Sequence, residues 1–239
     1  MKITVINPNT SQSMTDHINR ELAKIKREDT ELEVTCPDRG PITIESAYDE
    51  AYAVPPTLEL VQEANRKGQD AVILACFSDP GINAAKEISD IPVVGIEEST
   101  LHVASMLGNK FTILTTLKER VAAKENEVEE CGLTSKLASV RPLEMTVAET
   151  DEEPERAQER IFEVAKKAIE EDGAEVFALG CAGMAGYAEP VEEKLGTVVL
   201  DPSSVALKIT ESIVDANLNQ SKVGLFATPP EKEFKGYDL

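Results

Sequence analysis

Short apolar runs recur along this chain, separated by longer stretches in which apolar residues return every three or four positions. Eight runs read as strands, over residues 2–6, 32–35, 70–74, 92–96, 110–115, 137–140, 175–179 and 197–200. Most are rich in Val, Ile and Leu and do not alternate with polar residues, the pattern of strands covered on both faces. Helices are predicted between them. Met14, Ile18, Leu22 and Ile25 keep helical spacing around a Ser13-x-x-Asp16 capping pattern. Leu58, Val61 and Ala64 do so ahead of Gly68, which reads as a C-cap. Ile161, Val164, Ala165, Ala168 and Ile169 form another stripe, ending before Gly173. Further helices are expected over residues 99–107, over 117–131 up to Gly132, and over 204–216 as a closing element. Strand–helix alternation of this kind predicts an α/β protein with mainly parallel sheets flanked by helices.

The two halves of the chain resemble each other in architecture, with little residue identity. The first runs strand, Asn7-x-x-Thr10-Ser11, helix, strand, then strand, Cys76, helix, strand. The second runs strand, Thr115-Thr116, helix, strand, then strand, Cys181, helix, strand. This predicts two pseudo-symmetric lobes with the active site in the cleft between them. The first lobe would comprise residues 1–97 and 201–239, with a returning C-terminal helix, and the second residues 98–200. The acidic run at 150–155 reads as the solvated first turn of a helix, where carboxylates suit the peptide dipoles. The tail at 227–239, rich in Pro, Lys and Glu, is expected to be loosely held.

Composition narrows the partners. With 44 Asp and Glu against 24 Lys and Arg, the net charge of −20 opposes DNA, RNA and anionic membranes. Aromatics make up 4% and Trp is absent, which disfavours stacked-base platforms. The first apolar run is too short for a secretory signal and ends at Asn7-Pro8-Asn9. No apolar run approaches the roughly 20 residues that span a bilayer. A cytoplasmic location is therefore expected, with the four cysteines as thiols. Zinc is not expected, because there is no C-x-x-C pair and there are only two histidines, His17 and His102. His17 reads as a surface residue and His102 as part of a helix. No Walker loop, G-x-G-x-x-G fingerprint or G-x-S-x-G elbow occurs, so no cofactor is expected.

The candidate chemistry sits at one edge. Ligands of open α/β sheets bind beyond the carboxyl ends of the strands. Four polar loops belong there, at 7–11, 76–81, 115–116 and 181–183. Cys76 precedes Asp79-Pro80-Gly81, in which Asp79 reads as an N-cap and Pro80 as a first helical residue. Cys181 precedes Ala182-Gly183, whose small side chains let backbone N–H groups face a ligand. A thiolate at a helix N-terminus is stabilised by aligned peptide dipoles, which predicts a pKa below the free value of about 8.5. Two thiols from matching lobes, one ionised and one protonated, suit removal of a proton from one face of a carbon and its return to the other. Taken singly, each cysteine reads first as a small buried apolar residue, and it is the matching strand-end positions of Cys76 and Cys181 that favour chemistry. Cys36 and Cys131 lack comparable settings and keep that bland reading. Asn7, Thr10 and Ser11 are candidates to bind a carboxylate, amide or imide, or simply to cap the first helix. Thr115 and Thr116 carry the same two readings. Ser78 is either a donor to substrate or a turn residue, and Phe77 either a pocket wall or a core aromatic.

These segments together resemble the aspartate/glutamate racemase superfamily, and within it the hydantoin racemase branch that includes allantoin racemases. The matching pieces are Ile6-Asn7-Pro8-Asn9-Thr10-Ser11, Arg39-Gly40-Pro41 with Ile44-Glu45, Tyr48-Asp49-Glu50-Ala51, Ala75-Cys76-Phe77-Ser78-Asp79-Pro80-Gly81, Pro92-Val93-Val94-Gly95-Ile96, Leu114-Thr115-Thr116 and Leu179-Gly180-Cys181-Ala182-Gly183-Met184. The resemblance implies a cofactor-independent racemase acting at the ring carbon of a 5-substituted hydantoin or allantoin, with Cys76 and Cys181 as acid/base pair. It implies substrate contacts from Asn7, Thr10, Ser11, Phe77, Ser78, Thr115, Thr116, Ala182 and Gly183, including backbone N–H groups near Ser78 and Ala182. It also implies a homo-oligomer with a small-molecule substrate. Ser78 stands where the branch frequently has Gly. The Asp-Ser-Gly loop and the Thr-His pair of glutamate racemases are absent, the second replaced by Ala182-Gly183. No Arg or Lys falls in the four edge loops, which favours a neutral or weakly acidic substrate whose enolate is held by oriented N–H and O–H donors. The competing readings are racemisation of aspartate, a cysteine-dependent isomerisation or decarboxylation of a small carboxylate, and a two-lobed binder without turnover.

Overall fold

The computed structural model describes residues 1–230 and 232–233. Strands β1 (Lys2–Ile6), β2 (Glu31–Thr35), β3 (Ala71–Leu74) and β4 (Val93–Gly95) form a parallel sheet in the order β2-β1-β3-β4. Strands β5 (Phe111–Thr115), β6 (Leu137–Pro142), β7 (Val176–Leu179) and β8 (Val198–Leu200) form a second, in the order β6-β5-β7-β8. The architecture therefore repeats, with β1 and β3 at the centre of one sheet and β5 and β7 at the centre of the other.

Helices α1 (Gln12–Ile25), α2 (Ala47–Arg66), α3 (Ile82–Ile88) and α4 (Ile96–Leu107) follow the strands of the first sheet. The second sheet is interleaved with α5 (Val121–Glu130), α6 (Val147–Glu152), α7 (Pro154–Asp172) and α8 (Ala188–Leu195), and the chain continues into α9 (Pro202–Asp215). Helix α9 packs on α4, α1, β3 and β4, so the segment after β8 returns to the first sheet.

The unbroken apolar runs are explained by burial on both faces. Ile3, Val5, Ala71 and Ile73 point into a continuous core shared with Phe111, Ile113 and Phe177 of the second sheet. The residues one register position away, Ile6, Val72 and Leu74, point to a smaller cluster with Val61, Ala64 and Ala85 beneath α2 and α3.

Local differences from expectation have simple causes. Helix α1 starts earlier: Ser11 caps it by accepting from the Met14 N–H, and Ser13 lies within the first turn. At β4 the strand ends at Gly95 and Ile96 opens α4. Glu153 and Pro154 split the acidic run between α6 and α7, with Pro154 opening α7, where its missing N–H has no intrahelical partner to lose. After α9, Gln220 and Lys222 donate to the Ser89 and Ile91 carbonyls and to the Lys86 and Glu87 carbonyls, tying this stretch to the end of α3. Within the tail at 227–239, residue 231 and residues 234–239 lie outside the described residues.

Candidate active site

In each sheet the chain leaves the first central strand toward one side and later returns on the other. The ends of β1 and β3, and of β5 and β7, are therefore the places where neighbouring connections diverge, and such divergences leave a crevice. A cavity of about 500 Å3, counting its mouth, lies where the two crevices meet. Its walls include Asn7 and Asn9 beyond β1, Ala75 to Ser78 beyond β3, Thr115 and Thr116 at the end of β5, and Gly180 to Ala182 beyond β7. Gly180 is required by this closeness, since a Cβ there would stand 2.7 Å from the Leu114 carbonyl oxygen.

Both candidate cysteines border this one cavity. The Cys76 sulfur lies 3.5 Å from the Ser78 hydroxyl oxygen. The Cys181 sulfur, in a residue only 8% exposed, accepts a hydrogen bond from the Gly183 N–H at 3.4 Å. Burial pushes the Cys76 thiol up to about 12, against the opposing pull of the Ser78 hydroxyl and the Lys124 charge. Burial likewise pushes the Cys181 thiol up to about 11, against the Gly183 N–H. The expected lowering by a helix dipole is absent for a geometric reason. Helix α3 begins at Ile82, beyond a turn in which the Ser78 and Asp79 N–H groups both donate to the Cys76 carbonyl. Cys181 leads only into the single 3-10 turn Ala182–Met184. Neither sulfur meets the summed dipole of an α-helix, and both thiols are protonated at neutral pH.

Asp79 does not cap its own helix. Its backbone has φ of 41°, and its carboxylate accepts from the Glu97 and Glu98 N–H groups at 3.1 and 2.8 Å, capping α4 instead. Gly81, with φ of 75°, precedes α3 without a side-chain cap, and Pro80 lies outside the helix. Gly95 makes room for the carboxylate, because a Cβ there would lie 2.1 Å from the Asp79 Oδ2. The loop bearing Cys76 is thus pinned to the start of α4.

The other candidates divide. Asn7, Phe77, Ser78, Thr115, Thr116 and Ala182 line the cavity, whereas Thr10, Ser11 and Gly183 do not. Asn7 is buried, and its amide donates to Asn9 Oδ1 and Thr15 Oγ1, so it holds the loop together as well as facing the cavity. Thr10 ties the loop to the Pro41 carbonyl, and Ser11 is occupied as the α1 cap. Among the described residues the hydroxyls of Thr115 and Thr116 make no hydrogen bond, while their carbonyls accept from Leu143 and Met145. His17 is half-buried rather than a surface residue: its Nε2 lies 3.0 Å from the Ala185 carbonyl oxygen and its ring packs edgewise on Tyr187. His102 is exposed on α4, away from the cavity. Cys36 and Cys131 are half-buried and also lie away from it.

Three charged wall residues were not anticipated: Glu50 on α2, Arg120 in the 3-10 turn Lys118–Arg120 and Lys124 on α5. The Arg120 guanidinium donates to Glu50, another wall residue, at 2.6 Å. Lys124 is 2% exposed and donates to Glu97 at 3.0 Å, to Glu127 at 2.5 Å and to the Phe77 carbonyl. Burial works against its charge, yet Glu97 and Glu127 outweigh it and hold the ammonium protonated. Its Nζ also lies 5.2 Å from the centre of the Phe77 ring. A buried lysine with two carboxylates on other turns carries no local signature, and only the meeting of the two halves reveals it. Among the described residues no three His, Cys, Asp or Glu side chains gather where they could hold a metal ion, and no helix is long and apolar enough to cross a membrane.

Comparison with known proteins agrees with this geometry. The family model described as Asp/Glu/Hydantoin racemase matches residues 3–210. The chain is 39% identical over 236 residues to a hydantoin racemase of Pseudomonas sp. (strain NS671), covering 99% of this chain and 95% of that protein. It superimposes on an allantoin racemase from Klebsiella pneumoniae with a TM-score of 0.95 at 34% identity, covering 99% of this chain and 96% of the other. An allantoin racemase from Pseudomonas fluorescens gives a TM-score of 0.94 at 35% identity, covering 99% and 100%. A match spanning nearly the whole chain, on a fold whose two lobes each bring a cysteine to one cavity, places the chain in the Asp/Glu/hydantoin racemase family.

Proposed function

We propose that this racemase interconverts the enantiomers of a 5-substituted hydantoin or of allantoin, with Cys76 and Cys181 as the acid/base pair. The observation that carries the reading is the presence of both sulfurs on one small cavity, from corresponding strand ends of the two sheets. In the small fraction of enzyme in which one sulfur has lost its proton to solvent, that thiolate takes the proton from the ring carbon. The C–H electron pair moves into the adjacent ring carbonyl as an enolate. The opposite thiol returns a proton to the other face, so the two sulfurs exchange protonation states and nothing else is consumed.

An enolate needs donors fixed in advance. The Ser78 N–H is committed to the Cys76 carbonyl. The Phe77 and Ala182 N–H groups make no hydrogen bond among the described residues, and with the Thr115 and Thr116 hydroxyls they are the donors we assign to the ring oxygens and nitrogens. Thr10, Ser11 and Gly183 act from behind: the first two shape the Asn7 loop, and the Gly183 N–H favours the anion on Cys181. We extend the reading to a homo-oligomer, as the family resemblance implies, and to a cytoplasmic location.

The test is incubation of single enantiomers of a hydantoin panel and allantoin in D2O. Loss of optical rotation together with entry of deuterium at the ring carbon is expected. Unchanged rotation and no exchange across the whole panel would contradict the proposal.

A further inference from the structure

An arginine in a cavity wall is a ready receptor for a carboxylate, since its guanidinium carries a fixed charge and a planar fork of donors. Arg120 occupies such a position, with a side chain 12% exposed. Yet it is already engaged: Glu50, from the opposite lobe, accepts from it at 2.6 Å, and Glu127 lies 3.7 Å away. Lys124, the remaining cation of the wall, is closed off by Glu97, Glu127 and the Phe77 carbonyl. Two cations thus face three carboxylates, and no positive charge is left over for a substrate. Beyond Glu50 and Ser78 the cavity adjoins a groove that also includes Glu127 and Glu130, with no Lys or Arg among its described lining residues. An acidic substituent would have to displace Glu50 or lie against it.

We infer that Glu50 is a specificity-determining residue: by holding Arg120 it removes the cavity's anion receptor, so the enzyme selects substrates whose ring substituent bears no negative charge. This rests on the proposed function and sharpens its substrate class. Like charges brought together in a partly desolvated wall oppose binding strongly, while an uncovered guanidinium attracts the same group.

The experiment compares 5-isobutylhydantoin with hydantoin-5-propionate at pH 7. Native enzyme is expected to favour the neutral compound in kcat/KM by about tenfold or more. Glu50→Gln should reduce that preference by about tenfold or more, mainly through a lower KM for the anion. Glu50→Gln combined with Arg120→Gln should lose the gain, which a merely structural effect of Glu50 would not do. A native enzyme indifferent to the charge, a preference unaltered in Glu50→Gln, or a gain that survives the double change would each overturn the inference. A native enzyme that takes the anion as well as the neutral compound overturns the inference even if Glu50→Gln fails to fold. Calorimetric binding of the two compounds gives the same comparison without turnover, so absence of racemisation would count against the proposed function and equal binding against the charge filter alone.

Discussion

The Asp79 carboxylate occupies the space that a side chain on residue 95 would need, with Oδ2 2.1 Å from where a Cβ would stand. From there it caps α4 through the Glu97 and Glu98 N–H groups and fixes the turn that carries Cys76. Gly95→Ala must push the carboxylate away and uncap the helix. We expect a loss of about 2 kcal/mol, the scale of a lost buried cap, and at this chain length a fall in melting temperature of about 4–8 °C. Differential scanning calorimetry checks it, and an unchanged melt would refute the pinning role.

Gly180 is constrained by backbone rather than by a side chain, because the Leu114 carbonyl lies 2.7 Å from its absent Cβ. Gly180→Ala is expected to spread the ends of β5 and β7 and shift Cys181. Displacement of a reacting group by about 1 Å costs on the order of a hundredfold in rate. Racemisation kinetics on folded protein, verified by circular dichroism, should show that fall in kcat.

Lys124 is buried with Glu97, whose carboxyl is pushed by burial well above the usual carboxylate range against the pull of the lysine, so removing Lys124 leaves a buried acid without its partner. Lys124→Met should therefore cost about 3 kcal/mol of stability. Urea denaturation followed by far-ultraviolet circular dichroism gives the comparison, and an unaltered midpoint would contradict the arrangement.

The thiols hold their protons well beyond neutrality, with Cys76 at about 12 and Cys181 at about 11. Below both values the thiolate fraction rises about tenfold for each pH unit. Alkylation of these two residues by iodoacetamide, followed by peptide mass spectrometry, should therefore accelerate about tenfold per unit from pH 7 to 9. A plateau in that range would show that one sulfur is already ionised in the free enzyme.

Much of the architecture was legible because its causes are local. Val72 and Leu74 face one buried layer and Ala71 and Ile73 another, so the run had to be unbroken and reads as a doubly covered strand. The same pattern placed Cys76 and Cys181 at strand ends. Features that depend on distant partners were not legible. Asp79 has the look of a cap for the next helix, but its positive φ turns it toward α4. Lys124 and Arg120 lie on a helix and a turn that look solvated in sequence, and become wall residues only where Glu50, Glu97 and Phe77 of the other half reach them. The thiol pKa values likewise depend on how deeply the cavity excludes water, which residue spacing does not encode.

Racemisation by this mechanism requires two sulfurs reaching opposite faces of one bound ring, and the most direct test replaces them singly. Cys76→Ser and Cys181→Ser, each given one pure hydantoin enantiomer in D2O, should lose racemisation by about a thousandfold, the scale of general acid–base catalysis, while binding the hydantoin and melting as the native protein does. Racemisation at the native rate by either variant would contradict it.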